Sequence, residues 1–168
     1  TYILATGGLS HPETGSTGDG FKWLKDLGHT VITPTPAIVP LRVAETYIHA
    51  LSGVSLSFMK ITFYVDGKKS FNKKGKILFT HFGLSSPLIL NVAKQVGDLL
   101  HTGEVTATID MYPDTDIGSL DTHIRNIFDM NKNKIFKNII KEITPEGMHT
   151  VLLELSRDFI SSEEKVHS

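Results

Sequence analysis

The sequence predicts an α+β fold: a small antiparallel β-barrel or sandwich with one packed helix, a three-helix satellite after it and a strand-turn-helix piece before it. Three observations carry this. Residues 55–110 contain runs that alternate apolar and polar side chains, the mark of half-buried strands. Beyond Pro113 the apolar residues recur every three to four positions instead, which is helical spacing. Before Thr33 an apolar run, a glycine-rich turn and a helical pattern follow one another, the local grammar of a nucleotide-binding α/β layer.

The opening stretch, TYILATGGLSHPETGSTGDGF, has the most chemical content. Tyr2 to Ala5 reads as a strand that breaks into Thr6-Gly7-Gly8, where the missing Cβ atoms let the backbone pass close to a ligand. A second turn, Gly15 to Gly20, leads into a helix and offers its first N–H groups to an anion or an electron-rich acceptor. A phosphate-bearing or electron-rich cofactor is the expected ligand; the alternative is that Ser16, Thr17 and Asp19 only cap the helix. Phe21, Leu24 and Leu27 space that helix, Gly28 ends it, and His29 to Thr33 reads as a second strand. TPTPAIVPL then places three prolines in nine residues, a stiff connection that marks a domain boundary near residues 33–41.

Ser55 to Val65 alternates, with Leu56, Phe58, Ile61, Phe63 and Val65 as its apolar set, and Asp66-Gly67 signals a type I′ hairpin. Lys68 to Phe71 returns antiparallel, Gly75 separates it from a third strand, Lys76 to Phe82, and Glu104 to Asp110 supplies a fourth. Leu84 to Leu100 reads as a helix capped by Ser85 or Ser86, with Pro87 at its first position and Leu88, Val92, Val96 and Leu99 as its stripe. Three amphipathic helices complete the chain. Their stripes are Leu120, Ile124, Ile127 and Phe128; then Ile135, Phe136, Ile139, Ile140 and Ile143; then Met148, Val151, Leu152, Leu155 and Phe159, the last helix capped by Thr144 with Pro145 at its start. The division expected is 1–32 for the leading piece, 33–112 for the barrel and 113–168 for the helices.

With 40% hydrophobic residues, 168 residues suffice for a real core, and a net charge of −1 makes no electrostatic argument for nucleic acid or a membrane surface. Cysteine is absent, which removes disulfides, thiolate metal sites and cysteine nucleophiles. No apolar run is long enough to span a bilayer and no signal-peptide pattern is present, so a cytoplasmic protein is expected. The eight histidines show no metal-ligating spacing, and no metal site is expected. Asp110, Asp114, Asp116 and Asp121 suit a solvated turn plus an N-cap better than a calcium loop. Lys68, Lys69, Lys73, Lys74 and Lys76 suit a solvated strand edge guarded against aggregation. A chain that opens without Met inside a strand pattern and ends on polar SSEEKVHS reads as a piece of a longer product.

Phe79 to Pro87 runs from a strand through a glycine into a proline-started helix, so His81, Ser85 and the first helical N–H groups could converge on one point. The plainer account packs Phe79 and Phe82 in the barrel, satisfies a carbonyl with His81 and leaves Ser85 as a cap. A Ser/His hydrolase is weaker still, because no GxSxG elbow is present.

Residues 5–21, with ILFTHFGLSSP at 77–87 and Ile109 to Pro113, resemble in order and spacing the BaiN/YhiN-type NAD(P)/FAD-dependent oxidoreductases, a family of bacterial flavoproteins. The proline-rich link and KNIIKEITPE at 137–146 agree with them too. The resemblance implies a parent that binds FAD in a two-part Rossmann-like domain, with a barrel-plus-helices insert covering the flavin. This chain is similar to a strand-turn-helix remnant of that FAD domain plus nearly the whole insert, without the GxGxxG that would hold the pyrophosphate. Carried over by position, Thr6, Gly7 and Gly8 would lie beside the cofactor, and Thr17, Gly18, Asp19 and Gly20 would approach it at the helix start. His81 and Ser85 would come from the insert as substrate-side candidates, and no catalytic residue is assigned. His11 stands where members usually have Tyr, and Ser86 where they usually have Gly.

The leading expectation is therefore the insert, or cap, domain of a cytoplasmic FAD-dependent oxidoreductase whose parent transfers hydride between nicotinamide or an organic substrate and flavin, with NAD(P) as a second cofactor. Its expected partners are the remainder of the FAD-binding domain and a small-molecule substrate, with no nucleic acid and no membrane, and the fragment alone is expected to be inactive. A non-catalytic protein-interaction module is the rival, and a hydrolase using Ser85 and His81 a third reading. Thr1 to Gly20 is expected to be poorly anchored, and the stable body to run from about Thr33 to Phe159.

Overall fold

Turn chemistry and apolar alternation translate into a small set of elements in the computed structural model, which describes residues 2–164, with side-chain surroundings through Arg157. They are, in chain order, α1 (Asp19–Asp26), β1 (Leu41–Arg42), β2 (Ser55–Val65), β3 (Lys68–Thr80), β4 (Gly83–Ser85), α2 (Pro87–Leu100), β5 (Val105–Asp110), α3 (Ile117–Met130), α4 (Phe136–Ile143) and α5 (His149–Glu164). Short 3-10 turns at Pro12–Thr14 and Thr46–Leu51 complete them. The chain falls into two compact units, one up to Pro36 and one from Ala37.

In the second unit the strands form one antiparallel sheet, ordered β1-β4-β3-β2-β5 and curled as a half-barrel. Asp66 and Gly67 take φ of 48° and 75°, the paired left-handed conformation of a two-residue hairpin, and so fix the register of β2 against β3. The Asp66 carboxylate accepts from the Glu104 backbone N–H at 2.9 Å, and the Asp66 N–H donates to the Glu104 carbonyl at 2.9 Å, which leads β5 onto the far side of β2. Ile61 and Ile77 are fully buried, and Phe63 stacks on Phe71 with ring centroids 4.8 Å apart. On this face α2 packs with Ile89, Val92 and Val96. The core is completed from both ends of the unit, by Ile48 and Leu51 of the 3-10 turn and by Met148 and Val151 next to and within α5.

Several expectations change. Neither Tyr2 to Ala5 nor His29 to Thr33 forms a strand: a strand exists by its ladder, no ladder partner lies beside either run among the described residues, and Tyr2, Ile3 and Ile32 are exposed. Gly75 does not divide β3, because pairing with β2 continues through Met59↔Gly75 and Lys60↔Lys74. What Gly75 does is leave room for the Leu88 side chain, which a Cβ there would strike, so it is the seat of α2 on the sheet. Phe58 is not a core residue. The register slips between Leu56 and Met59, and the bulge holds Phe58 at φ 60° and 81% exposed while Met59 turns inward. Thr144 closes α4 instead of opening α5, its hydroxyl donating to the Ile140 carbonyl, and Pro145 starts the turn that precedes α5. The third helix also joins the barrel core through Val151 as well as facing α4. The Phe159 side chain lies outside the described residues.

The short β1 leaves no room for a side chain at Gly83. A Cβ on Gly83 would overlap the Leu41 carbonyl oxygen and press on the Arg42 Cα, neither of which can rotate away. Gly83→Ala is therefore expected to lower stability by about 2 kcal/mol, the usual scale of overpacking, read as a fall in the urea midpoint with an unchanged slope.

Candidate cofactor and substrate-side residues

The first unit brings its two glycine turns together. A Cβ on Gly20 would meet the Thr6 hydroxyl, one on Gly18 would meet the Leu9 side chain, and one on Gly7 would touch the Ser16 hydroxyl. Gly7 and Gly18 also take φ of 73° and 80°, where an L side chain is strained. Gly18 and Gly20 are thus explained by the turns packing on each other, and Gly7 by its left-handed φ, since its Cβ would make only an ordinary contact. Gly8 differs: nothing lies within 4 Å of where its Cβ would stand.

Gly18 caps α1 without a side chain, and the backbone N–H groups of Asp19 and Gly20 have no hydrogen-bond partner among the described residues. The first turn is not purely attractive to anions, since the Asp19 carboxylate sits there and accepts from the Thr17 hydroxyl at 2.7 Å. Open space at Gly8 and two unspent donors fit a cofactor edge rich in acceptors; the Asp19 charge disfavours a phosphate in the same place. His11, beside this turn, bonds Glu13 at 2.8 Å through Nδ1. The Glu13 carboxyl is held below its ordinary range first by a backbone hydrogen bond and then by His11.

His81 and Ser85 lie in the second unit. The Thr80–Gly83 turn is held by the Thr80 hydroxyl, which donates to the Gly83 carbonyl and accepts from its N–H, both at 3.2 Å. His81 is exposed at this tip with its ring edge-on to Phe82 at 4.9 Å, and Ser85 is half-buried farther along, opposite Leu78. Among the described residues no hydrogen bond joins the two side chains and His81 bonds no carbonyl, so the nucleophile-base pair is not formed; of the plainer account, Phe79 does pack in the core, while His81 satisfies no carbonyl. The cap of α2 is Ser86, whose Oγ accepts from the Ile89 N–H at 3.3 Å. With Pro87 lacking a donor and Ile89 already bonded, little of this helix start is left for an anion. Surface hollows lie elsewhere, along α3 at Asp116, Ser119 and His123 and between α3 and α4 at Phe128, Asn131 and Phe136. They are shallow and touch none of the candidates.

Ser86 was legible as a candidate cap and, through the resemblance, as a residue standing where members usually have Gly. Its φ of 142° and ψ of 166° belong to a region that is essentially glycine's, yet it is 7% exposed and fully built into the fold.

Residues 35–167 match the family described as HI0933-like protein barrel and H2TH domain. The chain is similar to the ribosomal RNA dihydrouridine synthase of Haemophilus influenzae, 31% identical over 154 residues that cover 90% of this chain and 35% of that protein. It is 25% identical over 167 residues to the 3-dehydro-bile acid delta(4,6)-reductase of Clostridium scindens, covering 97% of this chain and 41% of that protein. The ribosomal RNA dihydrouridine synthase of Escherichia coli is 26% identical over 155 residues, covering 92% of this chain and 36% of that protein. The chain thus spans well under half the length of these relatives.

The Ser86 geometry makes an ordered forecast. Ser86→Gly relieves a strain of about 1–3 kcal/mol and loses only a few tenths from the cap, against a chain-entropy cost of about 0.4–1 kcal/mol. Ser86→Ala keeps the strain and loses about 1 kcal/mol of capping. Chemical denaturation is expected to rank the glycine variant at or above wild type and the alanine variant below it.

Proposed function

From a chain that belongs to the HI0933-like barrel and H2TH family, the insert of the BaiN/YhiN-type FAD oxidoreductases, we propose that it is the substrate-side insert, with a short part of the FAD-binding domain, of a flavoenzyme. The proposed division is 1–32 for the FAD-domain piece, 33–112 for the barrel and 113–168 for the helices. The parent transfers hydride between nicotinamide or an organic substrate and flavin, and the fragment alone is inactive. The names of the relatives support a reduction, one being a reductase and two forming a dihydro product.

The observation that carries this reading is the open side of Gly8 next to the uncapped start of α1. Thr6, Gly7, Gly8, Thr17, Gly18, Asp19 and Gly20 are proposed to line the cofactor, with the Asp19 and Gly20 N–H groups as donors to it. Bound flavin supplies the redox chemistry, and these residues orient it and shape the field around it. His81 and Ser85 remain the proposed substrate-side residues. Among the described residues no helix is long and apolar enough to cross a membrane; a cytoplasmic location belongs to the proposal.

Because space at Gly8 is open, a side chain there burdens the fold little and a close ligand much. In the full-length parent, Gly8→Val is expected to lower FAD affinity roughly tenfold or more at an unchanged apo melting temperature. Flavin absorbance of the purified protein reads the result. A colourless wild-type parent, or a Gly8→Val variant that holds FAD as tightly as wild type, would sink the reading.

A further inference from the structure

The outward face of the β2–β3 ribbon has no role so far. Residues 67–97 contain six lysines and not one Asp or Glu. Lys68, Lys69, Lys73 and Lys76 make no ion pair among the described residues, whereas Lys60 and Lys74 are matched by Asp110 and Asp114. On the side of β3 away from β2, β4 pairs with Leu78–Thr80, and residues 68–76 have no strand beside them there among the described residues. Ladder register puts Lys74 opposite Lys60, Asn72 opposite Thr62 and Lys69 opposite Tyr64, with Thr108 and Thr106 continuing the two latter rows on β5. These residues alternate with the inward row of Met59, Ile61 and Phe63; Thr62 is itself buried, Lys60 and Tyr64 are half-buried, and Lys69, Asn72, Lys74, Thr106 and Thr108 are exposed on the outer face.

At one end of this face stands Phe58, in the bulge opposite Lys76. A lysine-rich edge guarded against pairing explains the charges alone. It does not explain a Phe that is 81% exposed and held at φ 60°, a conformation that bulky L residues rarely adopt. An exposed ring beside unpaired ammonium groups, with Tyr64 and the Asn72 amide along the same ribbon and the Thr106 and Thr108 hydroxyls on β5, is what an unstacked base and its phosphates require. A duplex keeps its bases stacked and has no use for the ring.

We infer that this face binds single-stranded nucleic acid, with Phe58 stacking on a base and Lys69 and Lys76 contacting phosphates. This deepens the function proposed above by naming a polymer partner for the insert, and it departs from the expectation drawn from net charge, which averages the acid-free stretch 67–97 with acidic segments elsewhere.

The test uses this chain and a fluorescent oligouridylate of about twelve nucleotides, within the span one small binding domain covers, read by anisotropy across a salt series. Phe58→Asn is expected to weaken binding by about fivefold to a hundredfold at an unchanged salt slope. The same substitution should raise the melting temperature, since Asn tolerates left-handed φ. Lys69→Gln with Lys76→Gln is expected to lower the slope of log affinity against log salt by about 1.4, two phosphate contacts' worth. Oligothymidylate binding equally supports the assignment with a sugar-blind site, and weaker binding supports one that reads the 2′-hydroxyl. The inference is overturned if a duplex of equal length binds as tightly, if Phe58→Asn binds as wild type, or if no binding is seen at low salt. No flavin enters the assay, so its failure leaves the cofactor proposal standing.

Discussion

Everything in the second unit hangs on the pairing of β2 with β3. Those two strands supply the fully buried Ile61 and Ile77 and the Phe63–Phe71 stack, and each strand recruits a further neighbour. On β2 the recruit is β5, guided by the Asp66 carboxylate; on β3 it is β4, which in turn holds β1. The pairing is local, across a two-residue turn, so its loop-closure cost is small and its register is set by backbone conformation before any distant contact forms. Long-range elements then add to a frame already in register.

Two residues on this frame hold conformations that their side chains disfavour, Phe58 in the bulge and Ser86 at the start of α2. Their surroundings explain how each persists. Ser86 is enclosed and hydrogen-bonded, so the fold over-determines it and the hydroxyl recovers part of the strain as a cap. Phe58 is exposed, flanked by the ladder on either side of the bulge. Strain maintained by packing is a structural feature; strain maintained with a large ring in solvent points outward, to a contact with something else.

How much could be read from the chain follows from how local the deciding physics is. Ser55–Val65, the Asp66-Gly67 turn, the Pro87 helix start and an N-cap among the aspartates before α3 were legible, because alternation, left-handed turn residues and capping act within a few positions; that the cap is Asp116 came only with the structure. The bulge was written there too: the apolar set runs 56, 58 and then 61, 63, 65, a switch from even to odd that a ladder can accommodate only by inserting a residue. β1 and β4 were hidden, being two and three residues long and defined by partners distant in sequence. Tyr2 to Ala5 and His29 to Thr33 have strand composition and no ladder, a reminder that composition supplies one face of a strand and tertiary pairing the other. In the candidate site, the glycines were visible as glycines, but that Gly18 and Gly20 serve turn-on-turn packing while Gly8 faces open space depends on distances no spacing rule contains.

The seating of Met148 and Val151 among Ile48, Leu51 and the sheet sets an order of events during synthesis. The ribbon and its helix emerge from the ribosome and can pair at once, but the apolar side of the 3-10 turn stays uncovered until the last helix has left the exit tunnel. A nascent barrel is therefore a waiting state with an adhesive flank, closed only from its C-terminal side. Any rearrangement of the gene that separates the helices from the barrel would strand that flank in water, which ties the two parts to a common fate in evolution as well as in folding.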